Sequence, residues 1–453
     1  MKKEVLYKKL FNLTSIITDH FPKAGARILD FLLLNILGNK ILFKFFSLQA
    51  ERRVKKVKTF NCFLLVSDMN IGDAINCSSG VAAVRKIFPD AEIDYVVKKS
   101  TKNLFKGNSD ISNLFPVFIG SPFPTDDDLL TLKRLAQNKA YDLIINFSPM
   151  IDNKIFGNRN VVDFSLIAVE LLRNAKDKQS INNVSFQTYR FITILFKDLL
   201  PEGFNNRFNG PGIYLSDDAI EKADNFLSDH GISNEVPIVM FNPDTSSKYT
   251  RIPFVVQLEL LKKIAGLECI IFISEGRIEK NIEKKLIQYL QPEVREKIII
   301  VNAGFNLEEY AALTDLSDIF ITGDSGPLHL AAARKYSRSG QYSLRNKTAI
   351  FSIFGSTPER VYGLDSKAPG FFAANQDAPS RVFVGKSPCR NISCINKLAK
   401  TCSQVRCFQQ LDSDEIILEA ANHLATTQKY KSLRRNRYLL NNISSSCIKK
   451  TDE

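Results

Sequence analysis

"FITGDSGPLHLAAARK", Phe320 to Lys335, runs an apolar strand end straight into a tight polar turn and then an alanine-rich helix. A strand passing into a helix through so short a turn is one βα unit of a parallel sheet. In open parallel sheets ligands gather beyond the carboxyl ends of the strands, which is where this turn falls. Gly323 and Gly326 permit close backbone approach, Ser325 is placed to cap the helix, and Pro327 suits its first position. Asp324 is the unusual member, because a carboxylate beside an anion site repels phosphate unless it faces a sugar instead. His329 follows early in the helix. A single histidine there serves packing as readily as ligand contact, but the Asp-Ser-Gly-Pro-x-His combination is hard to explain by helix initiation alone.

Working outward, the same alternation fills the chain from residue 60 onward. Strand candidates in the first half are "CFLLVS" (62–67), "EIDYVV" (92–97), "LFPVFIG" (114–120) and "YDLIINF" (141–147). The second half offers "VPIVMFNP", "ECIIFISE", "KIIIVNA", "DIFITG" and "TAIFSIFG". Between them lie segments with apolar residues at helical spacing, such as "AINCSSGVAAVRKIF" and "FVVQLELLKKIAG". Residues 150–235 join the two series and read as mostly helical, with the turn-rich stretch "PEGFNNRFNGPG". A chain of 453 residues exceeds one ordinary core. The reading is therefore α/β, with two Rossmann-like domains, 60–215 and 216–427, facing across a cleft. A basic, apolar helical extension (1–59) and a basic tail (428–453) flank them, and "KYSRSGQYSLRNK" (335–347) is a basic insertion.

Two more strand-end loops carry candidate chemistry. "SDMNIGDAINCSSG" places Gly72-Asp73 at a helix start. Asp73 either caps that helix, the favoured account on this loop alone, or faces the cleft as a base for a substrate hydroxyl. "DTSSKYTRIP" brings Thr245, Ser246, Ser247, Lys248, Thr250 and Arg251 to a helix that starts near Pro253. Hydroxyls and cations at a helix N-terminus suit a phosphate; the alternative is an ordinary polar loop with a proline-initiated helix.

Composition excludes disorder and fibrous classes: 44% of residues are hydrophobic and 24% charged. The net charge of +13 is concentrated at the ends, with 13 Lys and Arg against 4 Asp and Glu in residues 1–60, and 7 against 2 in 428–453. Basic ends on a near-neutral body suit an anionic membrane surface or nucleic acid, or are simply solvated. The N-terminus lacks the continuous apolar core of a cleaved signal peptide. "ILDFLLLNILGNKILFKFF" (28–46), interrupted by Asp30, Asn35, Asn39, Lys40 and Lys44, fits a helix lying in a membrane interface or packed on the body better than a span. Cys62 and Cys269 read as core and Cys77 as helix packing. Cys389, Cys394, Cys402 and Cys407, spaced C-x4-C-x7-C-x4-C, are either structural cysteines, reduced or paired, or a structural zinc site.

"GDSGPLHLAAA", preceded by "DIFIT" and followed by "AIFSIFGSTPERVYG", resembles the C-terminal signature of glycosyltransferase family 9, which includes the ADP-heptose:lipopolysaccharide heptosyltransferases. "IGDAINCSSGVAAVRKIFPDAEIDYVV" is similar to the N-terminal signature of the same family, and the motif order covers roughly residues 60–425. The resemblance implies a GT-B architecture with the acceptor on the N-terminal domain and the nucleotide-sugar on the C-terminal one. It also implies inverting transfer with no cofactor and no catalytic metal. By position Asp73 would be the general base and Gly72 its neighbour on the acceptor side. Asp324, Ser325, Gly326 and Pro327 would meet the donor, supported by His329; Thr245 and Ser246 match the phosphate loop, and Glu275 falls where a carboxylate holds ribose. The family's Lys-Arg-Trp-Pro reads Thr250-Arg251-Ile252-Pro253 here, which leaves Arg251 or Lys248 to supply the charge. The implied partners are a nucleotide-sugar and a lipid-linked saccharide, with peripheral contact at the cytoplasmic face of the inner membrane and no nucleic acid. The alternative is a nucleotide-sugar-binding protein of the same fold that has lost turnover.

Overall fold

The computed structural model describes residues 50–427, apart from 120–123, 149–150, 158, 164–182, 209, 234, 246–249, 276–280, 302–303, 336–347, 356, 358, 369–378 and 386–405. Its frame is two parallel sheets. The first has strand order β3-β2-β1-β4-β5: β1 Cys62–Val66, β2 Glu92–Lys98, β3 Asn113–Phe118, β4 Leu143–Asn146 and β5 Val161–Asp163. The second has order β11-β10-β9-β6-β7-β8: β6 Ile238–Asn242, β7 Ile270–Ser274, β8 Ile298–Val301, β9 Ile319–Gly323, β10 Ala349–Phe354 and β11 Ser380–Val384. Both show the reversal of strand order that leaves a crevice at the carboxyl ends of two central strands, β1/β4 and β6/β9.

The central strands are continuous apolar runs because helices cover both faces. Phe63, Leu64, Leu65 and Val66 are all buried in β1, and Leu64 pairs with Asp94 on one side and Ile144 on the other. In β6, Met240 pairs with both Phe272 and Phe320. Helix α1 (Ile71–Ile87) is buried almost all round, since it packs on the first sheet, on α3 (Val184–Leu195) and on the second half of the chain. Phe60, Phe63, Phe88 and Phe196 stack at the end of β1 away from the cleft, with the Phe88 and Phe196 centroids 5.1 Å apart. Beside the first sheet lies α2 (Asp126–Asn138), opened by a Thr125–Asp128 capping box. The second sheet carries α4 (Asp217–Asp229), α5 (Phe254–Ile264), α6 (Ile282–Gln288), α7 (Leu307–Leu316), α8 (Gly326–Arg334) and α9 (413–427). Ile416, Ala420 and Leu424 of α9 return to the core of that sheet.

Three details differ from the sequence reading. Strands β5 and β11 were not among the expected runs. Both are edge strands, where one-sided burial removes the continuous apolar signature, as the half-buried Arg381 within β11 shows. Strand β3 was expected, as "LFPVFIG", and its Pro116 is tolerated at an edge because no ladder donor is needed on the outer side. Residues 50–57, counted with the basic extension, belong by packing to the body: Ala50 and Val54 are buried in the first core, and Arg53 donates to the Val161 carbonyl. Cys77 and Cys269 are buried as expected, while Cys62 is half-buried. Residues 28–46, 428–453 and the insertion beyond Lys335 lie outside the described residues, as do Cys389, Cys394 and Cys402.

Candidate functional site

Helices α1 and α8 begin at the same place. A Cβ built on Gly72 would stand 2.4 Å from the His329 ring, and one on Gly326 would stand 3.1 Å from Ile71 Cβ. Glycine suits Gly72 because the His329 ring of α8 fills the space that a Cβ would need. This contact brings the βα turn after β1 against the turn after β9, so Asp73 and Asp324 share one crevice.

Asn70 occupies the cap position of α1, and Asp73 lies inside its first turn, where a negative charge suits the helix dipole. The capping account of Asp73 therefore does not hold. Its half-buried carboxylate makes no hydrogen bond or ion pair among the described residues. Burial pushes its pKa up to about 6, and the charge of Asp324 adds to the rise, while Lys98 works the other way. Burial likewise pushes Asp324 up to about 6, with the Thr357 hydroxyl pulling back. Lys98 comes from the end of β2 and donates to Asn70 Oδ1 at 3.1 Å. Asp68 sits in the same loop as Asp73, buried, its carboxyl raised by desolvation and lowered by Ser148 and Lys98.

His329 is buried between the two halves. Its Nδ1 lies 3.5 Å from Asn76 Nδ2, and Asn76 Oδ1 accepts from the Ser185 hydroxyl at 2.5 Å. Burial pushes the imidazole down to about 4, so it is neutral at physiological pH and acts as a packing and hydrogen-bonding group of the crevice. Tyr362 stacks edge-on against it at 6.0 Å. Burial raises the Tyr362 hydroxyl far above its ordinary range, and the charges of Asp73 and Asp324 raise it further, which places the phenol beside both carboxylates.

On the second sheet, Asn242 Nδ2 at the end of β6 donates to the Asp244 carbonyl at 3.1 Å, Thr322 Oγ1 at 2.9 Å and Ser325 Oγ at 3.2 Å. Ser325 stands at the cap position of α8, but its hydroxyl does not cap; it meets Thr322 Oγ1 at 3.1 Å and ties β9 to β6 across the switch point. Pro327 takes the second helical position, after Gly326. The first N–H groups of a helix lack intrahelical partners, so the start of α8 offers backbone donors to the crevice. Thr245 and Thr250 share a hydroxyl pair at 2.9 Å, both buried. Arg251 is engaged by Asp244, with Nε at 2.9 Å and Nη2 at 2.7 Å from the same carboxylate oxygen, so its charge is offset. Glu275 is half-buried at the end of β7, its amide donating to the Val301 carbonyl at 2.9 Å. Ser246 and Lys248 lie outside the described residues, and Cys407 is buried in the second core.

The structure thus brings together Gly72, Asp73, Asp324 and His329 in one crevice. Thr245 and Ser325 line the same switch point. Sequence reasoning missed Lys98, Tyr362, Asn76 and Asn242. Lys98 was findable from topology, because in the order 3-2-1-4-5 the end of β2 lies beside the loop after β1. Tyr362 falls within the run "STPERVYG", whose position relative to α8 only the fold supplies. Among the described residues no group of three or more His, Cys, Asp or Glu is arranged to hold a metal ion, and no helix is long and apolar enough to cross a membrane.

Two parallel α/β units whose strand ends face a shared crevice make the GT-B fold, the architecture of a large class of glycosyltransferases. Residues 174–342 match the family model described as glycosyltransferase family 9 (heptosyltransferase). A search of curated proteins by sequence found no match. Among solved structures, the chain is similar to a family 9 glycosyl transferase from Veillonella parvula, with a TM-score of 0.57 and 16% identity over 81% of this chain and 98% of that one. It is also similar to ADP-heptose lps heptosyltransferase II from E. coli, with a TM-score of 0.52 and 14% identity over 81% of this chain and 99% of that one. At such identities the likeness establishes the shared fold.

Proposed function

We propose that the chain moves a sugar from a nucleotide-diphosphate donor to a saccharide hydroxyl, with inversion at the anomeric carbon. The observation that carries this reading is the Asp73 carboxylate: half-buried, without a partner among the described residues, and raised to about 6 opposite the Asp324 turn. A base of that strength is ionised at neutral pH yet close enough to it to accept a proton efficiently. In the proposed step Asp73 takes the acceptor hydroxyl proton as the oxygen bonds to the anomeric carbon. The bond from that carbon to the diphosphate oxygen breaks on the opposite face, and its electron pair leaves with the nucleoside diphosphate. Backbone N–H groups at the start of α8 stabilise the charge that develops there.

Asp324 then holds sugar hydroxyls rather than phosphate, and Ser325 and Asn242 position the turn. Thr245, Ser246 and Lys248 are assigned to the diphosphate and Glu275 to the ribose. Arg251, paired with Asp244, shapes the loop. The description of family 9 and the E. coli neighbour that uses ADP-heptose support a heptose-like donor. A lipid-linked or lipopolysaccharide-core acceptor at the cytoplasmic membrane face gives the basic N-terminus a use.

A second reading, nucleotide-sugar binding without turnover, is favoured by buried Thr250 where the resemblance expects lysine and by the offset charge of Arg251. Thermal shifts with ADP, UDP and GDP and their sugars, followed by transfer assays on the wild type and Asp73→Asn, separate the two. A transferase loses turnover in Asp73→Asn and keeps its nucleotide shift. Nucleotide binding with no transfer by the wild type supports the second reading, and no response to any nucleotide counts against both.

A further inference from the structure

Tyr362 stands in the crevice, and the transfer step described above gives it no task. It ends a one-turn helix, Glu359–Tyr362, in the second half of the chain. Its neighbours anchor it: Val361 and Leu364 are buried in the first core, and the Gly363 amide donates to the Glu359 carbonyl at 2.7 Å. A Cβ on Gly363 would stand 2.7 Å from Val382 Cγ2, so the turn that follows the ring is pressed onto β11. The ring meets His329 edge-on at 6.0 Å, and His329 fills the space beside Gly72. Tyr362 therefore reaches from the second sheet toward the start of α1, where Asp73 lies.

The phenol oxygen is the part that packing does not explain, because a phenylalanine ring would meet His329 equally well. The side chain is half-buried, and its hydroxyl makes no hydrogen bond among the described residues. That hydroxyl is not one of the oxygens sealed from solvent without a partner, so it stands open in the crevice. Burial and the charges of Asp73 and Asp324 hold the phenol far above its ordinary pKa, so it keeps its proton and serves as a donor.

The two carboxylates, when ionised, accept hydrogen bonds and donate none. A sugar hydroxyl does both, so a sugar seated between them also needs a donor. Lys98 Nζ is turned to Asn70 at 3.1 Å, and Ser325 Oγ meets Thr322 and Asn242 at 3.1 and 3.2 Å. The backbone N–H groups at the start of α8 suit the diphosphate. We propose that the Tyr362 hydroxyl donates a hydrogen bond to a hydroxyl of the transferred sugar between Asp73 and Asp324, an assignment that rests on the sugar-transfer reading of this crevice. Tyr362 is then a sugar-contacting residue that the loop motifs did not disclose, and it discriminates the sugar rather than the nucleotide.

The test is calorimetric titration of the full chain, wild type and Tyr362→Phe, with ADP, UDP and GDP and with ADP-heptose, UDP-glucose and GDP-mannose. The substitution keeps the ring on His329, so the unliganded variant is expected to melt as the wild type does. It is expected to hold the bare nucleotide with wild-type affinity and to bind the sugar conjugate about three- to tenfold more weakly, as one neutral hydrogen bond dictates. Equal affinity of the two proteins for the sugar conjugate overturns the proposal. So does an equal loss for the bare nucleotide, which would mean that the crevice itself had shifted. Transfer assays on the same proteins separate this contact from the reading beneath it. A wild type that transfers sugar, with a variant that matches it in sugar-conjugate affinity, overturns the Tyr362 contact alone. A wild type that shows the expected difference and transfers nothing overturns turnover and upholds the contact. A wild type that binds none of these ligands overturns both.

Discussion

Asp73 stores free energy in the unliganded protein. Its folded pKa of about 6 exceeds the value near 3.9 of an unfolded aspartate. The folded state therefore binds more protons between those values, and stability falls as pH rises through about 6. Asp73→Asn removes this penalty, which is absent below the unfolded pKa and complete above the folded one. The variant is expected to gain about 1–2 kcal/mol at pH 8 and nothing at pH 3, allowing for solvent screening at a half-buried group. Melting curves at the two pH values check this. A gain independent of pH would show that the carboxylate is already satisfied. At the other end of α8, Lys335 is buried with its amine 3.2 Å from the Pro379 carbonyl, and burial pushes it down to about 7. Here the sign reverses. Between about 7 and an unfolded lysine's value near 10.4 the unfolded chain binds more protons, so stability rises with pH. Lys335→Met is expected to flatten that slope, measured as urea midpoints from pH 7 to 10; an unchanged slope assigns it elsewhere.

The contact between α1 and α8 makes two sheets into one site, and it rests on an absent side chain. With a Cβ on Gly72 only 2.4 Å from the His329 ring, Gly72→Ala forces a helix or the imidazole to move. Overpacking of this kind costs about 1–3 kcal/mol. His329→Ala in the same chain gives the methyl room, so the double variant is expected to recover most of the loss. Denaturant titration of both singles and the double measures this coupling, and simple additivity would mean that the helices do not meet here. The strands on either side of this contact were legible from sequence because burial on both faces writes a continuous apolar run. Edge strands β5 and β11 were not, for the converse reason. The candidate residues were legible as separate strand-end loops. That Gly72 meets His329, that Ser325 binds sideways to Thr322 rather than capping, and that Arg251 is claimed by Asp244 are tertiary facts. No local pattern encodes them.

At the scale of the whole molecule, the charge is carried where the sheets are not. The body is close to neutral, while residues 1–60 hold 13 Lys and Arg against 4 Asp and Glu. The packing of Ala50 and Val54 fixes where that charge attaches to the fold. Of the run "ERRVKKVK", Val54 points into the core, and Arg52, Lys55, Lys56 and Lys58 are exposed. Cations held at a fixed place on a rigid body act together on an anionic surface, each worth about 1 kcal/mol near it. The full chain is therefore expected to bind vesicles containing phosphatidylglycerol and to leave pure phosphatidylcholine alone, with affinity falling steeply as salt screens the charges. Replacing Arg52, Lys55, Lys56 and Lys58 together by glutamine should lower partitioning by about 10²–10³-fold. It should leave the fold intact, because none of the four side chains is buried. Deleting residues 1–49 stops short of the packed segment and removes a further 8 Lys and Arg against 3 Asp and Glu. If the two changes act on one surface, combining them abolishes binding in cosedimentation. Undiminished binding by the combined variant would move the membrane contact off the N-terminus altogether.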